Sequence, residues 1–388
     1  VPSTTRAGSA TLDEALIRRL LEELALEAQR FRFEVAPNPC VGAAVLSGTR
    51  VLGRGYHEFW GGPHAEVQAL EAARASGVPA SAWDTLLVTL EPCSSQGKTP
   101  ACTELVRASG IPRVIVGALD PDRRHQGAGM RILQEAGCEV LLYDGFTPLA
   151  SVAPHFLRWT DPDRVRRPRP WTIAKWAQTR TGQLVPPENV GGGRWISGPE
   201  AQREVQLLRG RVDAIVTGVG TVLADDPRLS VRPPGELGRP PARVIFDSYL
   251  RTPPEAALLR SSGSGAASGP VHILCLAGLE RARERALIEA GARIHPLHVS
   301  SEREISLREA QVWMWEQGFQ RVLLEAGTTL LSSYLAAGLV DQLRIYTGAV
   351  NGGRGPSLAE SLVRLKLEGR ADRELGGDSV LEAFVLDT

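Results

Sequence analysis

Three side chains in the first third of the chain have the types to hold a metal ion together: His64, Cys93 and Cys102. An imidazole and two thiolates suit a borderline-soft cation such as zinc, and three protein ligands leave a fourth tetrahedral position for water. An open fourth position is what separates a catalytic site from a structural one. Glu66, two residues past the histidine in His64-Ala65-Glu66, need not bind the metal. From a helix start it reaches the water and moves its protons. A closed structural site, or two unrelated cysteines, is the competing reading; the His-x-Glu and Pro-Cys contexts disfavour it.

His-x-Glu followed by Pro-Cys and a second Cys is the pattern of zinc deaminases acting on amino-bearing pyrimidine or purine rings. In that pattern two residues separate the cysteines, whereas eight separate Cys93 from Cys102 here. The long loop from Thr89 to Cys102, with Pro37-Asn-Pro-Cys-Val-Gly42, Gly53-Arg-Gly-Tyr-His57, Gly62-Pro-His-Ala-Glu-Val67 and Asp120-Pro121, resembles the deaminases of riboflavin biosynthesis. The resemblance implies a ring-reading role for Asn38 and a substrate contact for Lys98. Ser95 and Lys98 stand where that family usually carries His and Arg, so the anion contact becomes a point charge without a planar fork. Taken by position alone, Asn38 is equally a turn residue between two prolines.

At 388 residues, with 43% hydrophobic content, the chain predicts two cores. Lys plus Arg and Asp plus Glu are equal at 44 each, so no global field draws it to nucleic acid or to an anionic membrane. Five cysteines, some reserved for metal, fit a reducing compartment better than a disulfide scaffold, and a cytoplasmic enzyme is expected. No apolar run is long enough to span a bilayer. Val1 to Ala10 read as a disordered start and not as a signal peptide.

To position the ligands, the first half needs a helix after a Thr11 to Glu14 capping box, strands over 41–46 and 50–56, and a helix from His64 to about Ser76 stopped by Gly77. A strand over 85–90 then delivers Glu91-Pro92-Cys93, and Pro100 opens the next helix. Cys40 and Cys138 read as small buried apolar residues. The resemblance implies a cytidine-deaminase-like three-layer domain over 1–150; periodicity alone supports only an α/β sandwich. Residues 151–170, basic and Pro-rich from Arg158, read as a semi-rigid link.

From 171 to 388 strands and helices alternate, which predicts a mostly parallel sheet flanked by helices. Gly327, Thr328 and Thr329, between a strand and a helix start, form a candidate pyrophosphate seat, although no complete Gly-x-Gly-x-x-Gly is present. Trp195-Ile-Ser197, Gln206-Leu-Leu-Arg209, Thr221 to Pro227, Leu229-Ser-Val-Arg232 and Gly338-Leu-Val-Asp341 resemble the dihydrofolate-reductase-like domain of the same riboflavin family. That likeness implies NADPH as cofactor, with Ala177, Trp195, Thr221, Asp225, Ser248 and Gly327 lining it. It also implies Arg209, Leu229, Arg232 and Glu325 at the substrate, and Lys175 or Asp225 as proton donor. Thr181 and Gly193 stand where the family has Asp and Ser.

The expected protein is therefore a bifunctional enzyme, taking zinc and NADPH and acting on a small phosphoribosylated pyrimidine, most simply as a homo-oligomer without nucleic-acid or membrane partners. A deaminase with a second domain that binds nucleotide or forms dimers without turnover is the alternative. A nucleic-acid-editing deaminase is disfavoured by the neutral charge.

Overall fold

The computed structural model describes residues 12–95, 100–123, 125–143, 153–161, 168–188, 196–232, 239–260, 268–298 and 304–386. The chain divides into two compact units, Val1–Val165 and Arg166–Thr388. The expectations for Val1 to Ala10, Thr11, Lys98, Gly193 and Trp195 lie outside the described residues.

The first unit is built on a sheet in the order β2-β1-β3-β4-β5: β1 Gly42–Ser47, β2 Arg50–Tyr56, β3 Thr85–Val88, β4 Arg113–Val116 and β5 Glu139–Leu142. β1 pairs antiparallel with β2 and β3, and β3, β4 and β5 run parallel. Side chains alternate across a strand, so β1 serves two cores. Ala44 and Leu46 meet Leu20, Leu21, Leu24 and Ala28 of helix Glu14–Ala28. Ala43 and Val45 meet Ala69, Leu70, Val106 and Leu133 from helices Ala65–Ala75, Cys102–Ser109 and Ala128–Glu135. The result is the three-layer arrangement.

Some local signals resolve differently from the sequence expectation. The first helix is capped by Asp13, whose carboxylate accepts from Leu16 N at 2.7 Å. Pro100 does not open its helix, because Ala101 is the N-cap and Cys102 the first helical residue. Part of the stretch read as a link is helix Pro154–Thr160, and Ala153 and Phe156 join the first unit's core.

The second unit's main sheet has the order β11-β10-β9-β8-β12-β6-β13-β16-β15. Its strands are β6 Trp171–Gln178, β8 Ala214–Gly218, β9 Ala242–Phe246, β10 Val271–Leu276, β11 Ala292–Leu297, β12 Arg321–Leu324, β13 Gln342–Thr347, β15 Lys366–Leu375 and β16 Asp378–Leu386. The run from β11 to β13 is parallel, while β16 is antiparallel to β13 and β15. A small sheet pairs β7 Gln183–Val185 with β14 Arg354–Ser357. Val216, Val244 and Leu324 pack on helices Leu307–Glu316 and Thr328–Ala336. Ile245 and Ile273 face helix Arg281–Glu289 on the other side. Burial on both faces explains the unbroken apolar runs of these strands. Beyond Thr347 the sequence expectation held no strand, yet Gly376-Gly377, at φ 58 and 92, turns β15 into β16. Among the described residues no helix is long and apolar enough to cross a membrane.

Candidate active sites

Close packing places the first ligand. A Cβ on Gly55 of β2 would lie 2.2 Å from Ala69 N, and one on Gly53 would lie 2.4 Å from Ala73 N. Only glycine lets helix Ala65–Ala75 lie this close to the strand. His64 is its N-cap, and Glu66 sits in its first turn. β3 ends at Val88 and leads to Cys93, while Cys102 begins the next helix and donates its backbone N–H to Cys93 Sγ at 3.2 Å.

The three expected ligands converge. His64 Nδ1 is 3.5 Å from Cys93 Sγ and 3.2 Å from Cys102 Sγ, and all three ligand atoms lie within 4.8 Å of one another. Ligands around tetrahedral zinc at about 2.0–2.3 Å stand roughly 3.5 Å apart, so the donor set fits that ion in both type and spacing. Cys93 is held down to about 4, first by its hydrogen bond with Cys102 and then by His64, while Cys102 is pushed up by the same pairing. Two sulfurs this close cannot both ionise easily without a cation between them. Glu66 is buried at 3% exposure; desolvation raises its pKa and His64 partly opposes the rise. A carboxyl moved toward neutrality is suited to taking up and returning a proton.

A second layer orients these groups. His57 Nδ1 lies 3.1 Å from Pro63 O, an acceptor only, so the proton belongs on Nδ1. Nε2 then accepts from Asn38 Nδ2 at 3.2 Å, leaving the Asn38 amide oxygen for a ring donor. The His57 ring stands edge-on to His64 with centroids 5.2 Å apart. His155, whose pKa burial lowers to about 4, donates from Nε2 to Asn38 O at 3.0 Å. Ser95 is exposed.

Glu91 has no role in the sequence reading, yet its buried carboxylate accepts from the backbone N–H of Asp120 at 3.2 Å, Gly127 at 2.9 Å, Gly129 at 2.8 Å and Met130 at 3.4 Å. It ties the ligand loop to a helix start and the turn before it. Its place two residues before Cys93 was the available signal; its partners, some thirty residues on, were not readable.

In the second unit, Ala177, Thr221, Ser248 and Gly327 lie at or just past the carboxyl ends of β6, β8, β9 and β12, four neighbouring parallel strands. Open α/β sheets bind ligands at that edge. Thr221 Oγ1 accepts from Gly327 N at 3.0 Å, joining two of the expected cofactor segments. Gly327 caps helix Thr328–Ala336 without a side-chain bond, so the N–H groups of Thr328 and Thr329 lie at a helix start suited to a phosphate. These residues fit an extended dinucleotide.

Beside them sits an ion cluster. Glu325 accepts from Arg209 Nε at 2.6 Å and Nη2 at 3.0 Å, and from Lys175 Nζ at 3.5 Å. Burial alone would raise Glu325, but Arg209 and Lys175 reverse that and hold it at about 2. Desolvation lowers Lys175, with Glu325 opposing. Lys175 Nζ also lies 5.8 Å from the ring centre of Tyr346, whose hydroxyl donates to Glu204 at 2.7 Å.

Not every expected residue joins this cluster. Asp225 is exposed at the end of helix Val219–Asp225. Arg232 is exposed and donates its backbone N–H to Gln206 Oε1 at 2.9 Å. Leu229 is buried at φ 48, beside Ser230, whose carbonyl accepts from Arg209 Nη1 at 3.4 Å. Thr181 Oγ1 accepts from Gly352 N at 2.9 Å.

Residues 15–118 match the model of the cytidine and deoxycytidylate deaminase zinc-binding region, and residues 170–378 match the RibD C-terminal domain. The chain is 33% identical to riboflavin biosynthesis protein RibD of Aquifex aeolicus over 353 residues, 89% of this chain and 92% of that protein. It is 33% identical to RibD of Escherichia coli, covering 82% and 84%. Among solved structures, Acinetobacter baumannii RibD superposes with a TM-score of 0.66 at 27% identity, covering 97% of this chain and 100% of that one. A Thermotoga maritima diaminohydroxyphosphoribosylaminopyrimidine deaminase and phosphoribosylaminouracil reductase gives 0.62 at 25%, covering 96% and 99%.

Fold and sites define a two-domain α/β enzyme, a cytidine-deaminase-like unit followed by a dihydrofolate-reductase-like one. The chain belongs to the RibD family, the bifunctional deaminase and reductase enzymes of riboflavin biosynthesis. Zinc and NADPH are its cofactors.

Proposed function

We propose that the first unit hydrolytically deaminates a phosphoribosylated diaminopyrimidinone and that the second reduces the ribose of the product to a ribityl chain. The convergence of His64, Cys93 and Cys102 beside buried Glu66 carries the first step. These three side chains would hold the zinc, which when bound would lower the pKa of a water toward about 7. Glu66 takes a proton from the attacking water and returns it to the departing amino nitrogen, so that water adds at the ring carbon and ammonia leaves. Asn38, oriented by His57, reads the ring edge through its free amide oxygen.

For the second step, NADPH supplies the hydride. Ala177, Thr221, Ser248, Gly327, Thr328 and Thr329 seat the cofactor along the strand ends. Lys175, half-buried between Glu325 and Tyr346, is the proton donor that this geometry favours over exposed Asp225. Arg209 is committed to Glu325, so it shapes the substrate seat through that carboxylate. The opposite reading, a second domain without turnover, finds no support in an assembled Lys175–Glu325–Arg209 cluster.

A coupled assay tests both steps. The full chain given the phosphoribosylated diaminopyrimidinone should release ammonia and then oxidise NADPH in equal amount. Ammonia release without NADPH oxidation would reduce the second unit to a binding domain.

A further inference from the structure

A cleft of about 430 Å3 opens at Asn38 in the first unit, within the roughly 300–1,000 Å3 of small-molecule sites. Asn38 forms one wall, Asp122 and Arg123 another, and Phe156, Trp159 and Thr160 of helix Pro154–Thr160 the third. The cleft is linked to the metal ligands through Asn38, because Asn38 is bonded to His57 and His57 stands against His64.

All three walls are anchored. The turn that carries Asp122 and Arg123 is gripped by Glu91 through Asp120 N and Gly127 N, and Asp122 N donates to Asp120 Oδ1 at 2.9 Å. The helical wall is fastened to Asn38 by His155 and to the core by Ala153 and Phe156. Arg123 is exposed, and among the described residues its guanidinium has no hydrogen-bond or ion-pair partner. An uncommitted guanidinium in a cleft next to a ring-reading amide is suited to a dianion carried on the same ligand as the ring. The half-buried face of Trp159 offers apolar area to a sugar.

We propose that this cleft seats the phosphoribosyl arm of the deaminase substrate, with Arg123 pairing with the phosphate and Trp159 covering the ribose. The inference rests on the phosphoribosylated substrate proposed above and extends the working deaminase through Thr160, past residue 150. Helix Pro154–Thr160 then completes a site, where the sequence suggested only a connection.

The test compares ammonia release from the phosphorylated substrate and from its dephosphorylated counterpart, in the full-length zinc-loaded protein. In wild type, kcat/KM favours the phosphorylated compound. Arg123→Ala should shrink that preference about tenfold or more, mainly through KM, and Arg123→Lys should restore part of it. Raised inorganic phosphate should inhibit wild type competitively and Arg123→Ala far less. Zinc content and NADPH oxidation on the deaminated substrate verify that each variant is folded. A preference unchanged in Arg123→Ala overturns the assignment while leaving the substrate intact. If wild type deaminates neither compound, the substrate reading itself falls and this inference falls with it.

Discussion

The two chemical centres of this chain are assembled by opposite means. In the first unit the reactive groups lie within 39 residues, His64 to Cys102, each at a helix start or just after a strand. Their donor atoms crowd together so that both thiols cannot easily ionise at once, a set of atoms that an ion completes. In the second unit Lys175, Arg209 and Glu325 are spread over 150 residues and meet because β6 and β12 are neighbours in the sheet. One carboxylate there accepts from both cations, so the groups are held by ion pairs within the protein itself. The first centre is thus specified by local spacing and depends on metal, and the second is specified by topology and depends on its own ion pairs.

Removing the metal should separate the centres most sharply. Cys93→Ser should lose bound zinc and ammonia release while NADPH oxidation on the deaminated substrate continues. Glu66→Gln should keep zinc and lose about 10²–10⁴-fold in ammonia release. Metal analysis with the two separate assays checks both, and parallel loss of the reductase would show that the centres are not independent.

Next in size is Arg209→Ala, which leaves a buried carboxylate with a single, more distant cation. Loss of one partner of a buried pair costs about 3–5 kcal/mol. The unfolding transition of the second unit should move down and reductase activity should fall, with ammonia release retained. The same pair sets a pH signature. Because the folded pKa of Glu325, about 2, lies below the ordinary carboxylate value, its stabilisation is complete above about pH 4.5 and is lost as pH falls toward 2. In Arg209→Ala that loss should begin at higher pH in acid-unfolding curves.

The smallest effect is expected at Thr181. Thr181→Val removes the acceptor for Gly352 N and should cost about 1 kcal/mol, read as a lowered transition of the second unit without change in zinc content.

The sequence alone was sufficient for the convergence of His64, Cys93 and Cys102, for the buried Glu66 in the first turn of the helix that His64 caps and for most strands and helices, because spacing along a chain and side-chain periodicity are short-range properties. It was silent on Glu91, whose carboxylate is satisfied by four backbone donors of a distant turn and helix start, and on Pro154–Thr160, whose charged, proline-rich surroundings mask a helix that packs into the core. It grouped Asp225 with Lys175 as candidate proton donors, and the fold places Lys175 half-buried against Glu325 while Asp225 is exposed.

Residue type and local spacing determined that this chain carries a three-ligand soft-metal site next to a carboxyl group, within a two-domain α/β enzyme. Tertiary structure decided which carboxylate Arg209 and Lys175 share, which wall faces Asn38, and that Arg123 lines the same cleft as Asn38. Those outcomes depend on strand order and on burial, which bring together groups that no spacing rule connects and set their charges by desolvation and by the partners they meet.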